Sequence, residues 1–208
     1  MNIAVIGAGN MGAGLARLFA SSGHQVVIGA RQPEKAAALA AEIGSQVQGG
    51  GIAAAVKLAD IVVLALPYGA AAEALKEAGD LSGKVVVDIS NPLKPDFSGL
   101  VIGHTTSAAE EIQALVGKAV VVKAFNTVFA QLLPREARAA RPLQVFVAAD
   151  DAAAKAKVTE LAASAGFEPV DAGPLGNARY LEPIGMMNIA FGYFLGRGPT
   201  VAPAWASF

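Results

Sequence analysis

The chain has 208 residues, 54% of them hydrophobic and 16% charged, which excludes a disordered segment and leaves ample material for a core. Sixteen Lys and Arg against seventeen Asp and Glu give a net charge of −1, without the cationic excess that a nucleic-acid binder needs. The absence of cysteine removes disulfides, thiolate metal sites and thiol nucleophiles, and two histidines are too few for a His-based metal site, so no metal is expected.

Met1 leads into the apolar run Ile3-Ala4-Val5-Ile6 with no basic stretch before it, and no segment reaches the roughly 18 apolar residues of a membrane helix. The expectation is a soluble, cytoplasmic protein that engages neither membrane nor nucleic acid. The Ile3–Ile6 run reads as a strand buried on both faces, ending at Gly7. Met11–Ser21 has helical spacing and stops at Gly23; Val26–Ile28 is a second strand. A helix follows over Glu34–Ile43, opened by Pro33 and closed by Gly44. Val47 marks a weak third strand and Ile52–Leu58 a short helix.

Ile61–Leu66 is a strand stopped by Pro67, Ala70–Ala78 a helix and Val85–Ile89 a strand that opens into the loop Ser90–Gly99. Ser107 with Glu110 three residues on has the spacing of a capping box, predicting a helix that ends near Gly117. Strands over Ala119–Phe125 and Leu143–Ala149, a helix over Asp151–Ala165, a short strand at Glu168–Val170 and a strongly apolar helix over Ala178–Leu195 complete the chain. Alternating strands and helices predict an α/β fold: a Rossmann-type, doubly wound, mostly parallel sheet. The expected organisation is one nucleotide-binding domain over residues 1–208, with residues 150–208 as a small C-terminal extension ending in the apolar helix.

Gly7-Ala8-Gly9-Asn10-Met11-Gly12 fits G-x-G-x-x-G and stands between a buried strand and a helix, the context that gives this pattern meaning. The first glycine makes the turn, the second admits a pyrophosphate to the backbone, and the third packs helix on strand. The helix N-terminus then presents free N–H groups to the phosphates. An NAD site has an acidic residue about 20 residues past the motif, for the ribose 2′-hydroxyl. Here the second strand runs into Ala30-Arg31, with no acid between Gly7 and Gln32. A guanidinium pairs with a 2′-phosphate, and Lys35 four residues on adds a second cation, so the expected cofactor is NADP(H).

Ligands of such sheets lie beyond the carboxyl ends of the strands. The candidates there are Leu66-Pro67-Tyr68, Ser90-Asn91-Pro92 and Ala124-Phe125-Asn126-Thr127. No Ser…Tyr-x-x-x-Lys set and no well-placed catalytic lysine stands out; His24 reads as a turn residue and His104 as a loop residue. No catalytic side chain is assigned. Reduction of a carbonyl needs a proton donor, whereas hydride transfer to a flavin-like ring chiefly needs orientation.

The opening strand and glycine turn, Ile28-Gly29-Ala30-Arg31…Glu34-Lys35-Ala36, Val122-Lys123-Ala124-Phe125-Asn126-Thr127 and Asp171-Ala172-Gly173-Pro174-Leu175-Gly176-Asn177-Ala178-Arg179…Glu182 together resemble the NADPH:F420 oxidoreductase family. The Lys-Ala-Phe-Asn-Thr segment is also similar to the cytosolic oxidoreductase domain of the STEAP metalloreductases. The resemblance implies hydride transfer between NADP(H) and a deazaflavin (F420), a flavin or a similar planar acceptor. It implies that Gly7, Gly9, Asn10, Met11 and Gly12 hold the pyrophosphate, Arg31 and Lys35 the 2′-phosphate, and Pro67 and Asn91 flank the nicotinamide. Leu175 and the stretch from Asn126 to Phe129 would border the second ring. Ala30 stands where the family often has Ser or Thr, and Asn126 where deazaflavin-using members can carry His. The resemblance also implies that the last helix buries a homodimer interface. A non-catalytic NADP(H) sensor and a small keto-acid or imine reductase remain as alternatives.

Overall fold

Four of the five residues of β1 (Asn2–Ile6) are inaccessible, as expected of a strand covered on both faces. The computed structural model describes residues 1–207. β1 pairs in parallel with β2 (Gln25–Gly29) on one side and β4 (Ile61–Leu64) on the other. β3 (Val47–Gly50), β5 (Val85–Asp88) and β6 (Val120–Lys123) extend a six-stranded sheet of order β3-β2-β1-β4-β5-β6. That order reverses between β1 and β4, the switch point at which dinucleotides bind in doubly wound sheets.

Alternation along each strand feeds two apolar layers. Ile3, Val5, Val63 and Val87 share a cluster with Leu15 and Phe19 of α1 (Asn10–Ser21) and with Val158 and Leu161 of a later helix. Ala4, Ile6, Val62 and Leu64 face α3 (Ile52–Lys57), α4 (Tyr68–Ala78) and α5 (Ala108–Leu115), through Val56, Leu75 and Ile112. α2 (Pro33–Ile43) packs on the first layer through Ala36 and Ala40. Helices on both faces leave the strand ends as the open edge.

The later strands depart from a single parallel sheet. β7 (Gln144–Val147) and β8 (Glu168–Asp171) form their own parallel pair across α6 (Ala152–Ser164). β7 meets β6 only at an antiparallel bridge, where Lys123 and Ala148 exchange both backbone hydrogen bonds (2.9 and 3.0 Å). The connection from β6 carries two 3₁₀ turns, Ala130–Leu132 and Arg135–Arg138, in place of a crossover helix. Without that helix the chain does not return for another parallel strand.

α7 (Ala178–Ile189) continues as a π-helical turn over Ala190–Phe194. Its inward face carries Leu181, Glu182, Gly185 and Asn188, while Tyr180, Met187, Tyr193, Phe194 and Leu195 are each at least half exposed. The segment from Leu175 to Glu182 straps this helix onto α5. Ser107 caps α5 as its spacing predicts, its Oγ accepting from Glu110 N at 3.2 Å and donating to Glu110 Oε2 at 2.8 Å. Arg179 then donates twice to Glu110, at 2.8 and 2.5 Å.

The Arg179 guanidinium and the Ser107 hydroxyl hold the Glu110 carboxyl below the usual range. A depressed carboxyl stabilises the fold above its unfolded value of about 4.3, and that contribution is lost as pH falls through the folded value. Acid should therefore loosen the α5–α7 contact, with faster amide exchange in α7 below about pH 4. In Glu110→Gln that acid-dependent step should disappear.

Candidate functional site

The turn from β1 to α1 is built by contact. Gly7 has φ +119°, and a Cβ there would strike the Ala65 carbonyl. A Cβ on Gly12 would strike the Gly7 carbonyl, so the third glycine lets helix lie on strand. Gly9 differs: a Cβ there would meet nothing within 4 Å. The space above it adjoins the N-terminus of α1, which has no side-chain cap. Unsatisfied N–H groups, the positive end of a twelve-residue helix and an open approach suit a pyrophosphate.

Two recesses lie on either side of this turn. The first, of about 660 Å³, is walled by Ile6, Gly7, Gly9, Leu66, Ile52 and Ala74 and closed by Ala30, Arg31, Gln32 and Lys35. Gly29 admits it, since a Cβ there would press on Ile6 and Ala55. Arg31 is 70% exposed and reaches Glu73 Oε2 of α4 only at 3.8 Å, leaving its donors to a ligand. The second recess, about 280 Å³, lies between Asn10 and Met11 of α1, Ile89 and Asn91 after β5, Phe125 to Gln131 after β6, and Gly185, Asn188, Ile189 and Tyr193 of the C-terminal helix.

An asparagine pair forms the floor of that second recess. Asn91 Nδ2 donates to the Asn126 carbonyl at 2.8 Å, and Asn126 Nδ2 donates back to Asn91 Oδ1 at 2.9 Å and to the Leu181 carbonyl at 2.8 Å. Asn126 Oδ1 is buried and has no partner. A buried carbonyl oxygen without a donor costs about 1–3 kcal/mol, which an amide N–H from a ligand would recover. Phe125, just before it, takes φ +59° while fully buried, held edge-on between Phe19 and Phe167. Strain of this kind, about 1–3 kcal/mol, persists where surroundings impose it and gathers at ligand sites.

Asn91 also leans on α7. A Cβ at Gly185 would collide with the Asn91 amide. Gly185→Ala should therefore displace Asn91 and narrow the second recess while leaving the first intact. The check is a pair of titrations, with an adenosine fragment and with the whole dinucleotide. The expected result is weakened binding of the dinucleotide alone.

The first recess gathers Gly7, Gly9, Arg31, Lys35 and Leu66; the second gathers Asn10, Met11, Asn91 and Asn126. Gly12 lies beneath the turn. Pro67 is exposed and Pro92 buried, and neither lines a recess. Tyr68 turns away: its hydroxyl donates to the Glu111 carboxylate on α5, which with burial pushes the phenol up to about 12. Leu175, expected at the second ring, is 3% exposed and packs in the apolar layer with Ile112 and Ala178, away from both recesses. His104 lies in an exposed loop, and His24 pairs with Ser164 Oγ at 2.8 Å, far along the chain from the glycine turn.

The sequence reading missed Gln32, Ile52 and Ala74 in the first recess and Gly185, Asn188 and Tyr193 in the second. It also missed an ionic cluster under the asparagine pair. Lys123, at the end of β6, is inaccessible, and its ammonium donates to Asp88 Oδ2 (2.7 Å), Glu182 Oε1 (2.8 Å) and the Ser90 carbonyl (2.6 Å). Burial pushes the Glu182 carboxyl up, while Lys123 and the Ala108 N–H pull it back. The signal was present, since a lysine and an aspartate each end a run of valines; nothing linear shows that they meet.

Residues 2–92 match the family profile described as NADP oxidoreductase, coenzyme F420-dependent. The F420-dependent NADP reductase of Methanothermobacter thermautotrophicus is 32% identical over 200 residues, spanning 88% of this chain and 86% of that protein. A crystal structure described as a putative F420-dependent NADP-reductase from Arthrobacter sp. FB24 superposes with a TM-score of 0.81 at 35% identity, covering 92% of this chain and 91% of the other. Rat metalloreductase STEAP3 is 32% identical over 188 residues, but this chain spans only 36% of its length.

Proposed function

The chain belongs to the F420-dependent NADP oxidoreductase family, and on that premise we propose that it transfers hydride between NADP(H) and a deazaflavin of the F420 type or a related planar acceptor. The observation that carries the proposal is the pair of recesses on one helix N-terminus, cationic at the far end of one and amide-lined in the other. Arg31 and Lys35 would take the 2′-phosphate, the N–H groups around Gly9 and Asn10 the pyrophosphate, and Ile52, Leu66 and Ala74 the adenosine. Asn126 Oδ1 would accept from the nicotinamide carboxamide, which supplies its missing donor.

Bound NADP(H) would supply the hydride chemistry, with a deazaflavin or a similar ring as its partner. What the protein adds is orientation and the exclusion of water. Among the described residues lining the second recess, Tyr193 alone is titratable, and no carboxylate, histidine or lysine faces it. A carbonyl or imine reductase needs a positioned acid or base there. Tyr193 is the one candidate for that role among them, whereas hydride transfer to a ring acceptor chiefly needs orientation.

The test follows NADPH absorbance with F420, FMN, FAD, a ferric chelate and a small keto acid as separate acceptors. The proposal expects oxidation of NADPH with F420 or a flavin and none with keto acids. NADPH binding without any turnover would favour the sensor instead.

A second copy of the chain would cover the apolar outer face of α7, where Met187, Tyr193, Phe194 and Leu195 are each more than half exposed. Light scattering should give twice the chain mass. No helix among the described residues is long and apolar enough to cross a membrane.

A further inference from the structure

Three charged side chains meet beneath the second recess in space that water does not reach: Lys123, Asp88 and Glu182 are each at most 1% exposed. Every contact in the cluster is satisfied. The Lys123 ammonium has three acceptors for its three protons. Asp88 Oδ1 accepts from Ser90 N at 2.9 Å. Glu182 accepts from the first N–H groups of α5, Ala108 at 3.0 Å and Ala109 at 3.3 Å. Two carboxylates against one ammonium leave an excess negative charge, which lies at the positive end of the eight-residue α5.

A cluster like this is a poor way to gain stability, because apolar residues of similar volume commonly do as well or better. Its geometry has a different consequence. The Ser90 peptide is gripped on both sides, its N–H by Asp88 and its carbonyl by Lys123. The next residue is Asn91. On the other strand, Lys123 is fixed by its bridge to Ala148, and three residues on stands Asn126. Glu182 follows Leu181, whose carbonyl accepts from Asn126 Nδ2. A closed ring of contacts thus runs from the ions through both asparagines and back, and it sets where the orphaned Asn126 Oδ1 lies.

We infer that Lys123, Asp88 and Glu182 are positioning residues for the asparagine pair, and through it for the nicotinamide end of the dinucleotide. The inference rests on the NADP(H) reading above and adds to it a dependence between a dry ion cluster and the ring's orientation. None of the three touches the ligand. They hold Ser90 and Leu181 in place, and those in turn hold the amide groups that do.

The test uses two ligands: 2′,5′-ADP, which carries the 2′-phosphate and one 5′-phosphate but lacks the nicotinamide mononucleotide half, and NADP⁺, which has both halves. The variants are Glu182→Gln, which keeps the shape, and the double change Asp88→Asn with Lys123→Met, which removes opposite charges together. Both should bind 2′,5′-ADP as the parent does. Their preference for NADP⁺ over 2′,5′-ADP should fall roughly fivefold to tenfold, the worth of one hydrogen bond. The fluorescence enhancement of bound NADPH, which senses the ring's surroundings, should fall with it.

Unchanged preference and unchanged fluorescence would overturn the inference. So would a joint loss of 2′,5′-ADP and NADP⁺ binding, which would make the cluster a fold element only. If the unaltered protein ignores 2′,5′-ADP, the NADP(H) reading itself fails and takes this inference with it. If the unaltered protein binds 2′,5′-ADP and the variants behave as the parent, the inference alone fails.

Discussion

Arg31→Ala should weaken NADPH binding by about 1.5–3 kcal/mol, roughly ten- to a hundredfold, and leave NADH binding nearly unchanged. The selectivity follows from what the side chain can meet. Arg31 lies at the mouth of the first recess, 70% exposed, with only a loose contact to Glu73 at 3.8 Å. An exposed ion pair of that length contributes little, so the guanidinium gives up almost nothing when it turns to a phosphate. A 2′-phosphate is a tetrahedral, doubly charged partner, two of whose oxygens the planar guanidinium binds at once. NADH has only a hydroxyl there. Lys35→Ala should cost less, because an ammonium is a point charge on a mobile stem. The contribution should also shrink with added salt, since the site is open to solvent. Titration calorimetry with both dinucleotides checks this. Equal losses for NADPH and NADH would remove Arg31 from the 2′-phosphate.

Lys123→Met should be strongly destabilising, at about 3–5 kcal/mol. That is a large fraction of the roughly 5–15 kcal/mol that holds a domain folded. The methionine fills the space of the lysine stem, but Asp88 and Glu182 are left facing each other in a dry core. The Glu182 carboxyl, already raised by burial, would then lose the ammonium that pulls it back and rise further. A carboxyl raised on folding binds its proton more tightly in the folded state, so stability is gained as pH falls and lost as pH rises through the folded value. Urea denaturation should accordingly show the deficit largest at neutral pH and smaller toward pH 5, approaching the ordinary carboxylate range of about 4. The double change with Asp88→Asn should recover part of it. A loss under about 1 kcal/mol, independent of pH, would mean that the cluster contributes little.

The part of the fold that precedes Gly117 was legible because its signals are local. Four-residue valine-rich strands, buried on both faces, leave no alternation to misread. The glycine turn is specified by two collisions that a side chain would cause, at Gly7 and Gly12, and by the open approach at Gly9, and a linear motif records such constraints well. Arg31 stood out for a similar reason: it lies two residues past β2, where an acid would otherwise stand.

What was hidden depends on contacts distant in sequence. Lys123 meets Asp88 across 35 residues and Glu182 across 59. Each of the three looks alone like the polar end of an apolar run. The side chain of Leu175 serves the core, and the polar residues that follow it, Arg179 and Glu182, tie α7 to α5. The last helix is apolar nearly all round in sequence, yet it turns its glycine and asparagine inward and its large apolar groups outward. Hydrophobicity alone predicts the reverse. The antiparallel attachment of β7 follows from two 3₁₀ turns, which have no periodicity strong enough to announce themselves.

The most direct measurement is calorimetric titration of the unaltered protein with NADP⁺ and with NAD⁺ under identical low-salt conditions. If two cations at the tip of β2 and the bare N-terminus of α1 hold a phosphorylated dinucleotide, NADP⁺ binds at least about tenfold more tightly, at one site per chain. Equal affinity for the two, or heat from neither, would contradict the account at its root.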